Sequence, residues 1–323
     1  MQQVLSLIKG FLGEMGGHLA PEAIIEEEHY YLPAGDPRPG SDRFFEIPAR
    51  PSRPLSLQLF QVGRTRTYLI GQISSNGDIR PVHYASVASA ILRREQGELS
   101  PHTRPLVADL LLLDLGGLEE NDVIERYREG IEIIDTHPDE PGYMARRMAA
   151  MREAGRVRRE MQEEGLLSCE EGRDARVVTV VDGSLARIEG AAESAGLVGL
   201  VPAEAEVLGA GGAVLACPFM ARSALDTDIQ PAAFYMRLRD SEGRNPDFGL
   251  LRVELGLKPD GNPADEGWAS DISSLLLAER FPVDLQTEGW DKSIYALQHA
   301  EKYVDTLIPP PRVVTTYFGR STA

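Results

Sequence analysis

Cysteine is nearly absent: Cys169 and Cys217 are the only two in 323 residues. A pair this sparse excludes a disulfide scaffold and suits a reducing, cytoplasmic setting. Lysine is almost as rare. Only Lys9, Lys258, Lys292 and Lys302 occur, so the basic side chains are overwhelmingly arginine. Positive charge as a whole is short. Against 50 Asp and Glu stand 33 Lys and Arg, for a formal net charge of −17 and a pI near 4.8. Such a surface repels a polyanion, which argues against broad nonspecific nucleic-acid binding by this chain alone. A DNA contact then has to be local, assisted by a metal ion, or supplied by a partner.

No apolar run approaches the roughly 20 residues that span a bilayer, so no membrane segment is expected. Residues 1–17 lack the basic start and small-residue cleavage site of a secretory signal. The P-loop pattern G-x-x-x-x-G-K-[ST] is missing, as are H-E-x-x-H, C-x-x-C and G-x-S-x-G. These absences exclude a P-loop nucleotide site, the common zinc sites and a nucleophile-elbow hydrolase. Gly209-Ala210-Gly211-Gly212 lacks dinucleotide spacing and reads as a loop. His18, His29, His83, His102, His137 and His299 are scattered, and none forms a nucleophile motif with Ser or Cys.

What is present is an ordinary globular composition. Hydrophobic residues make up 42% of the chain, and its 323 residues are enough for one large domain or two smaller ones. Val4, Leu5, Ile8, Phe11, Leu12 and Met15 fall at helical spacing, which predicts an amphipathic helix docked on the body or on a partner. Glu26-Glu27-Glu28 follows, then prolines at 33, 37, 39, 48, 51 and 54. That density predicts an extended arm or linker, not a regular helix or central strand. Leu57–Gln61 and Thr65–Ile73 are expected as two strands around a turn near Gly63, with a second turn at Asn76-Gly77-Asp78. Val107–Leu115 reads as a buried strand. Glu119–Asp135 and Tyr143–Leu167 read as helices, and Ala191–Gly212 as helical or irregular. Phe234–Arg239 and Leu250–Leu255 read as strands, Ile272–Arg280 and Ile294–Ile308 as helices. From Pro309-Pro310-Pro311 the tail cannot continue the last helix and is expected to be mobile. Strands interleaved with helices predict an α/β fold, a mixed sheet with helices on both faces.

Asp182 carries the strongest chemical signal. It closes the run Arg176-Val177-Val178-Thr179-Val180-Val181 and precedes Gly183-Ser184-Leu185. A carboxylate at the exit of a buried strand is held rigidly, as a hard cation such as Mg²⁺ or Mn²⁺ requires of its oxygen ligands. The plain alternative is a strand followed by an Asp-Gly turn. The run has no polar alternation except Thr179, which predicts a central strand, flanked by the strands containing Phe60 and Met236. The helix upstream interleaves Arg146, Arg147, Arg152, Arg156, Arg158 and Arg159 with Glu153, Glu160, Glu163 and Glu164. Such a face is ordinarily solvated and salt-bridged, and it also offers acids on successive turns. Two-metal phosphodiester hydrolysis requires three or four carboxylates converging on cations about 3.5–4 Å apart.

The order of these pieces resembles the NurA family of nucleases. The similarity runs from about Leu57 to Ile308. It is carried by Val177–Leu185 with its preceding Arg/Glu helix, by Phe234–Leu238, Gly249–Glu254 and Asp271–Phe281, and by the last helix with Tyr295 and Ala300-Glu301. The spacing of the middle trio is similar to the bacterial branch. The resemblance implies an RNase H-like core, a HerA-type hexameric ATPase as partner, a homodimer, and DNA end processing, repair or phage defence. It implies Mn²⁺ or Mg²⁺ as cofactor, with Asp182, Glu160 and Glu301 as metal ligands and Asp182, Glu160 and Tyr295 as catalytic residues. Glu153 and Glu163 are the rivals of Glu160.

Two positions depart from the family pattern. Its first strand ends in a metal-binding Asp-Gly, whereas this chain reads Phe60-Gln61-Val62-Gly63-Arg64-Thr65, in which the family's glycine and arginine remain but the carboxylate does not. Its Val-Lys pair after the second Asp is Val201-Pro202 here. Loss of a carboxylate weakens or abolishes such a metal site, unless Asp109 or Asp114 is borrowed instead. Three readings follow: a metal-dependent DNA nuclease working with the ATPase, an inactive scaffold or adaptor that binds and regulates that ATPase, and an unrelated soluble α/β protein. The expected organisation is an N-terminal helix and proline-rich arm over 1–56, an RNase H-like domain over 57–308 and a tail over 309–323.

Overall fold

The computed structural model describes residues 2–26, 43–75, 77–118, 122–169, 176–203, 213–280 and 290–319. The glycine cluster at 209–212 and the proline-rich stretch up to residue 42 lie outside them. The strands are β1 (His18–Glu26), β2 (Phe44–Glu46), β3 (Ser56–Ser75), β4 (Asp78–Glu95), β5 (Glu98–Pro101), β6 (Leu106–Leu113), β7 (Glu132–Asp135), β8 (Val177–Asp182), β9 (Leu197–Pro202), β10 (Ala221–Ser223), β11 (Ala232–Arg237) and β12 (Leu250–Leu255). The helices are α1 (Gln2–Glu14), α2 (Asp122–Arg128), α3 (Tyr143–Leu167), α4 (Glu266–Ala278), α5 (Tyr295–Asp305) and α6 (Pro311–Gly319).

All described strands join one mixed sheet, in the order β2-β10-β11-β12-β9-β8-β3-β4-β6-β7, with β1 added to β3 and β5 to β4. The β8 pairings with β3 and β9 are parallel, as is that of β6 with β7; the other pairings between named strands are antiparallel. Asp182 therefore ends a central strand, and the β3 strand carrying Phe60 flanks it as expected. The other neighbour is a correction. β9 and β12 stand between β8 and β11, so the strand with Met236 is not adjacent. Leu197–Pro202, expected as helical or irregular, is the inserted strand. Its Leu197, Val198 and Leu200 are buried in succession on both sides, as in a strand covered on both faces.

β3 and β4 form the spine, a hairpin of 20 and 18 residues turning at Gly77, whose φ of 80° suits glycine. The turn expected at Gly63 does not form; β3 runs straight through it. A Cβ on Gly63 would lie 2.9 Å from Arg158 Cγ and from Gln162 Cδ. The glycine thus lets α3 approach the sheet rather than letting the chain reverse. The single helix expected up to Asp135 is also corrected. From Asp122 onward the chain forms the short helix α2, turns at Gly130, whose amide donates to the Tyr127 carbonyl, and continues as strand β7.

Side-chain alternation assigns the faces. Phe60, Val62, Val178, Val180 and Val253 pack with Trp268 of α4 and Leu297 and Ala300 of α5. On the opposite face, Ala85, Val87, Leu110 and Leu112 receive Ala150, Ala154 and Val157 of α3. The first helix docks on its own chain: Leu5, Ile8, Phe11 and Leu12 are buried with Tyr68, Tyr84, Val314 and Phe318. The last two come from α6, so the segment from Pro311 is a second helix and not a loose tail. Pro311 stands at its first position, where a missing N–H costs nothing.

Phe11 is fully buried and meets Tyr127 edge-on at 5.5 Å. Phe11→Ala is expected to cost about 3–5 kcal/mol in urea unfolding. A cost near zero would show that α1 does not belong to this core.

Candidate functional site

Asp182 leaves β8 on the face that carries Val178 and Val180, toward α5. On β3 the same alternation puts Val62 and Arg64 on that face. Arg64 Nη1 donates to Asp182 Oδ2 at 2.8 Å, and Nη2 lies 2.8 Å from Glu301 Oε2 of α5. One guanidinium thus spans the two carboxylates. One turn further along α5, Asp305 accepts from Arg66 Nη2 at 2.9 Å, and Arg66 Nη1 donates to the Pro309 carbonyl at 3.1 Å. The cluster is a strip of three acids and two arginines on one sheet face, partly shielded from water.

Burial works against the charge on Arg64, but Asp182, Glu301 and Asp305 outweigh it and hold the guanidinium more firmly protonated than usual. Burial, then the Asp182 charge, pushes the Glu301 carboxyl up to about 7, against the pull of Arg64. Arg64 spans both carboxylates, and Glu301 is the one whose protonated form burial favours.

The turn after Asp182 has its own support. Glu254 of β12, 1% exposed, accepts from Ser184 Oγ and from the Leu185 amide, each at 2.8 Å, and from the Ala186 amide at 3.4 Å. Gly199 of β9 permits the turn to lie close, since a Cβ there would stand 2.8 Å from the Gly183 carbonyl oxygen. Gly183, at φ 113°, occupies the region that favours glycine.

The expected ligands do not all meet. Asp182 and Glu301 converge, across Arg64. Glu160 pairs with Arg156 at 2.5 Å on an exposed part of α3, its side chain 56% exposed. Arg158 and Gln162 take the sheet-facing positions on that helix, and Gln162 donates to Gln61 at 3.0 Å. Glu160 lies about 200° around the helix from each of them. Glu153 binds the same Arg156, and Glu163 borders a cavity of about 540 Å³ with Leu166, Ile188, Glu193 and Leu197. Asp182, Arg64 and Glu301 do not line that cavity. Tyr295 is 43% exposed and packs on His299 at 4.3 Å. It lies about 120° around α5 from Glu301, on a different face.

The acids that could be borrowed are also engaged. Asp114 receives Arg146 Nε at 2.6 Å, and Asp109 accepts from Tyr84 Oη at 2.6 Å. Among the described residues no group of three or more His, Cys, Asp or Glu is placed to hold a metal ion. Hard divalent cations require several oxygen ligands in one cage. Asp182 and Glu301 share Arg64, Asp305 holds Arg66 and Val62 is fully buried in the apolar core, an arrangement that does not fit one. The sequence presents Arg64 only as part of a motif, and its bridge is not legible there. The available signal is an arginine two residues from a core valine on a strand next to Asp182.

Two outcomes follow. The raised value of Glu301 means that its protonated form favours the fold. That contribution is complete below its ordinary value of 4.5 and is lost as pH rises through about 7. Glu301→Gln is expected to flatten the fall in unfolding free energy between about pH 4.5 and 7; a slope unchanged from wild type would contradict this. Glu254→Ala is expected to cost about 2–4 kcal/mol in chemical denaturation, because buried donors lose a charged acceptor. A loss under about 0.5 kcal/mol would show that the turn stands without it.

No protein-family model matches the chain. No curated protein matches it. Among solved structures it is similar to the crystal structure of the NurA nuclease from Sulfolobus solfataricus, with 9% identity and a TM-score of 0.45 over 81% of each chain.

Proposed function

We propose that this chain is a NurA-like protein with an RNase H-like core that acts as a non-catalytic scaffold or adaptor, binding a HerA-type hexameric ATPase and regulating it. The family reading is supported by the order of the sequence pieces that resemble NurA. The non-catalytic reading is carried by one observation: Arg64 bridges Asp182 and Glu301. A nuclease of the two-metal kind needs those oxygens directed at cations, and here they are directed at an arginine. Glu160 and Tyr295 point elsewhere. In this reading the protein is a cytoplasmic homodimer, and DNA reaches the assembly through the basic channel of the ATPase, since this chain is strongly acidic.

A second reading keeps the metal-dependent nuclease. It is favoured by the convergence of Asp182 with Glu301, which the resemblance implies and which distant parts of the chain supply. The test is digestion of linear duplex and single-stranded DNA with Mn²⁺ or Mg²⁺, with and without the ATPase. Wild type is expected to cut neither and to change the ATPase rate. Cleavage that is lost in Asp182→Ala would overturn the scaffold reading in favour of the nuclease.

A further inference from the structure

We infer that the Arg64 guanidinium is the resident cation of this centre, filling the place between Asp182 and Glu301 that a divalent metal would need, so that the fold is complete without metal. The inference rests on the non-catalytic reading above and gives its physical cause.

A guanidinium fits the geometry. Asp182 ends β8, Glu301 lies on α5, and Arg64 rises from β3 between them. A planar fork reaches both oxygens at 2.8 Å with two different nitrogens. A guanidinium presents donors in fixed directions, whereas an ammonium is a single point charge. The neighbouring pair, Arg66 with Asp305, repeats the arrangement one turn along α5 and accounts for the third acid. Removing Arg64 leaves Asp182 and Glu301 facing one another, both largely shielded from water, with Asp305 nearby. Two carboxylates so placed repel, and a hard divalent cation is the natural replacement for the missing charge. Gly63 and Val62 supply no competing cation, since the one has no side chain and the other is in the core. Arg64 is thus a positioning residue that joins α5 to the two central strands and excludes metal by occupying its place.

The experiment is thermal unfolding of the full chain in chelator, in Mn²⁺ and in Mg²⁺. Wild type and Arg64→Lys, which keeps the charge, are each expected to melt at a temperature that is the same in all three. Arg64→Ser is expected to melt lower in chelator and to gain several degrees with Mn²⁺, and Asp182→Asn added to it should abolish that gain. A wild-type melting temperature that rises with Mn²⁺ through Asp182 would overturn the inference, as would an Arg64→Ser variant indifferent to the metal. A Mn²⁺ response in Arg64→Lys equal to that of Arg64→Ser would overturn it too. If Arg64→Ser does not fold in chelator, its refolding yield with Mn²⁺ decides: recovery supports the inference and no recovery overturns it. DNA cleavage by wild type would retire the non-catalytic reading, whereas indifference of Arg64→Ser to Mn²⁺ would retire this inference alone.

Discussion

One guanidinium ties together three parts of the chain that are far apart in sequence. Arg64 joins β3 to the end of β8 and to α5 through Asp182 and Glu301. An arginine in a partly buried site is tolerated only when its charge is compensated, and here three acids surround two arginines. The chemistry open to Asp182 depends on this compensation, while Leu297, Ala300 and Val304 dock α5 on the sheet. The same acids that could have held a metal are used to hold an arginine.

The sheet around this centre is built so that the acids are presented firmly. β8 is central, and its apolar side chains are covered on both faces, by α4 and α5 on one and by the packing of Leu59, Ile91 and Leu185 on the other. The turn after Asp182 is pinned from β12 by Glu254, whose burial is compensated by the donors of Ser184 and Leu185. Rigid presentation of an acid is a general device. It serves an ion pair as well as it serves a metal, which is why Asp182 alone does not reveal the use to which it is put.

Much of this is legible in the sequence where a signal is local. The bounds of α3 follow from Pro141-Gly142 before it and the helical run after, and β8 follows from five apolar or β-branched residues before Asp182. α1 follows from its apolar stripe. Other elements leave weak signals. β4 contains Ala85, Ser86, Ala88, Ser89 and Ala90, small residues without alternation, because α3 and the opposite face both press close. Gly63 reads as a turn residue, but its use is the approach of a helix, and nothing local distinguishes the two. The same limit applies to the candidate site. The resemblance pairs Asp182 with Glu301, and in the fold one arginine contacts both. Glu160 is one of several acids on a single helix, and order alone does not say which of them faces the sheet; its side chain turns to solvent and Arg156. The Arg64 bridge depends on three distant segments, so no spacing rule could contain it.

The cation between Asp182 and Glu301 is an arginine, and a crystal of the wild-type protein grown in Mn²⁺, measured at a wavelength where manganese scatters anomalously, tests this. No anomalous peak is expected at these carboxylates, with Arg64 within hydrogen-bonding distance of both. A manganese peak bound to Asp182 and Glu301, with Arg64 swung away, would contradict it.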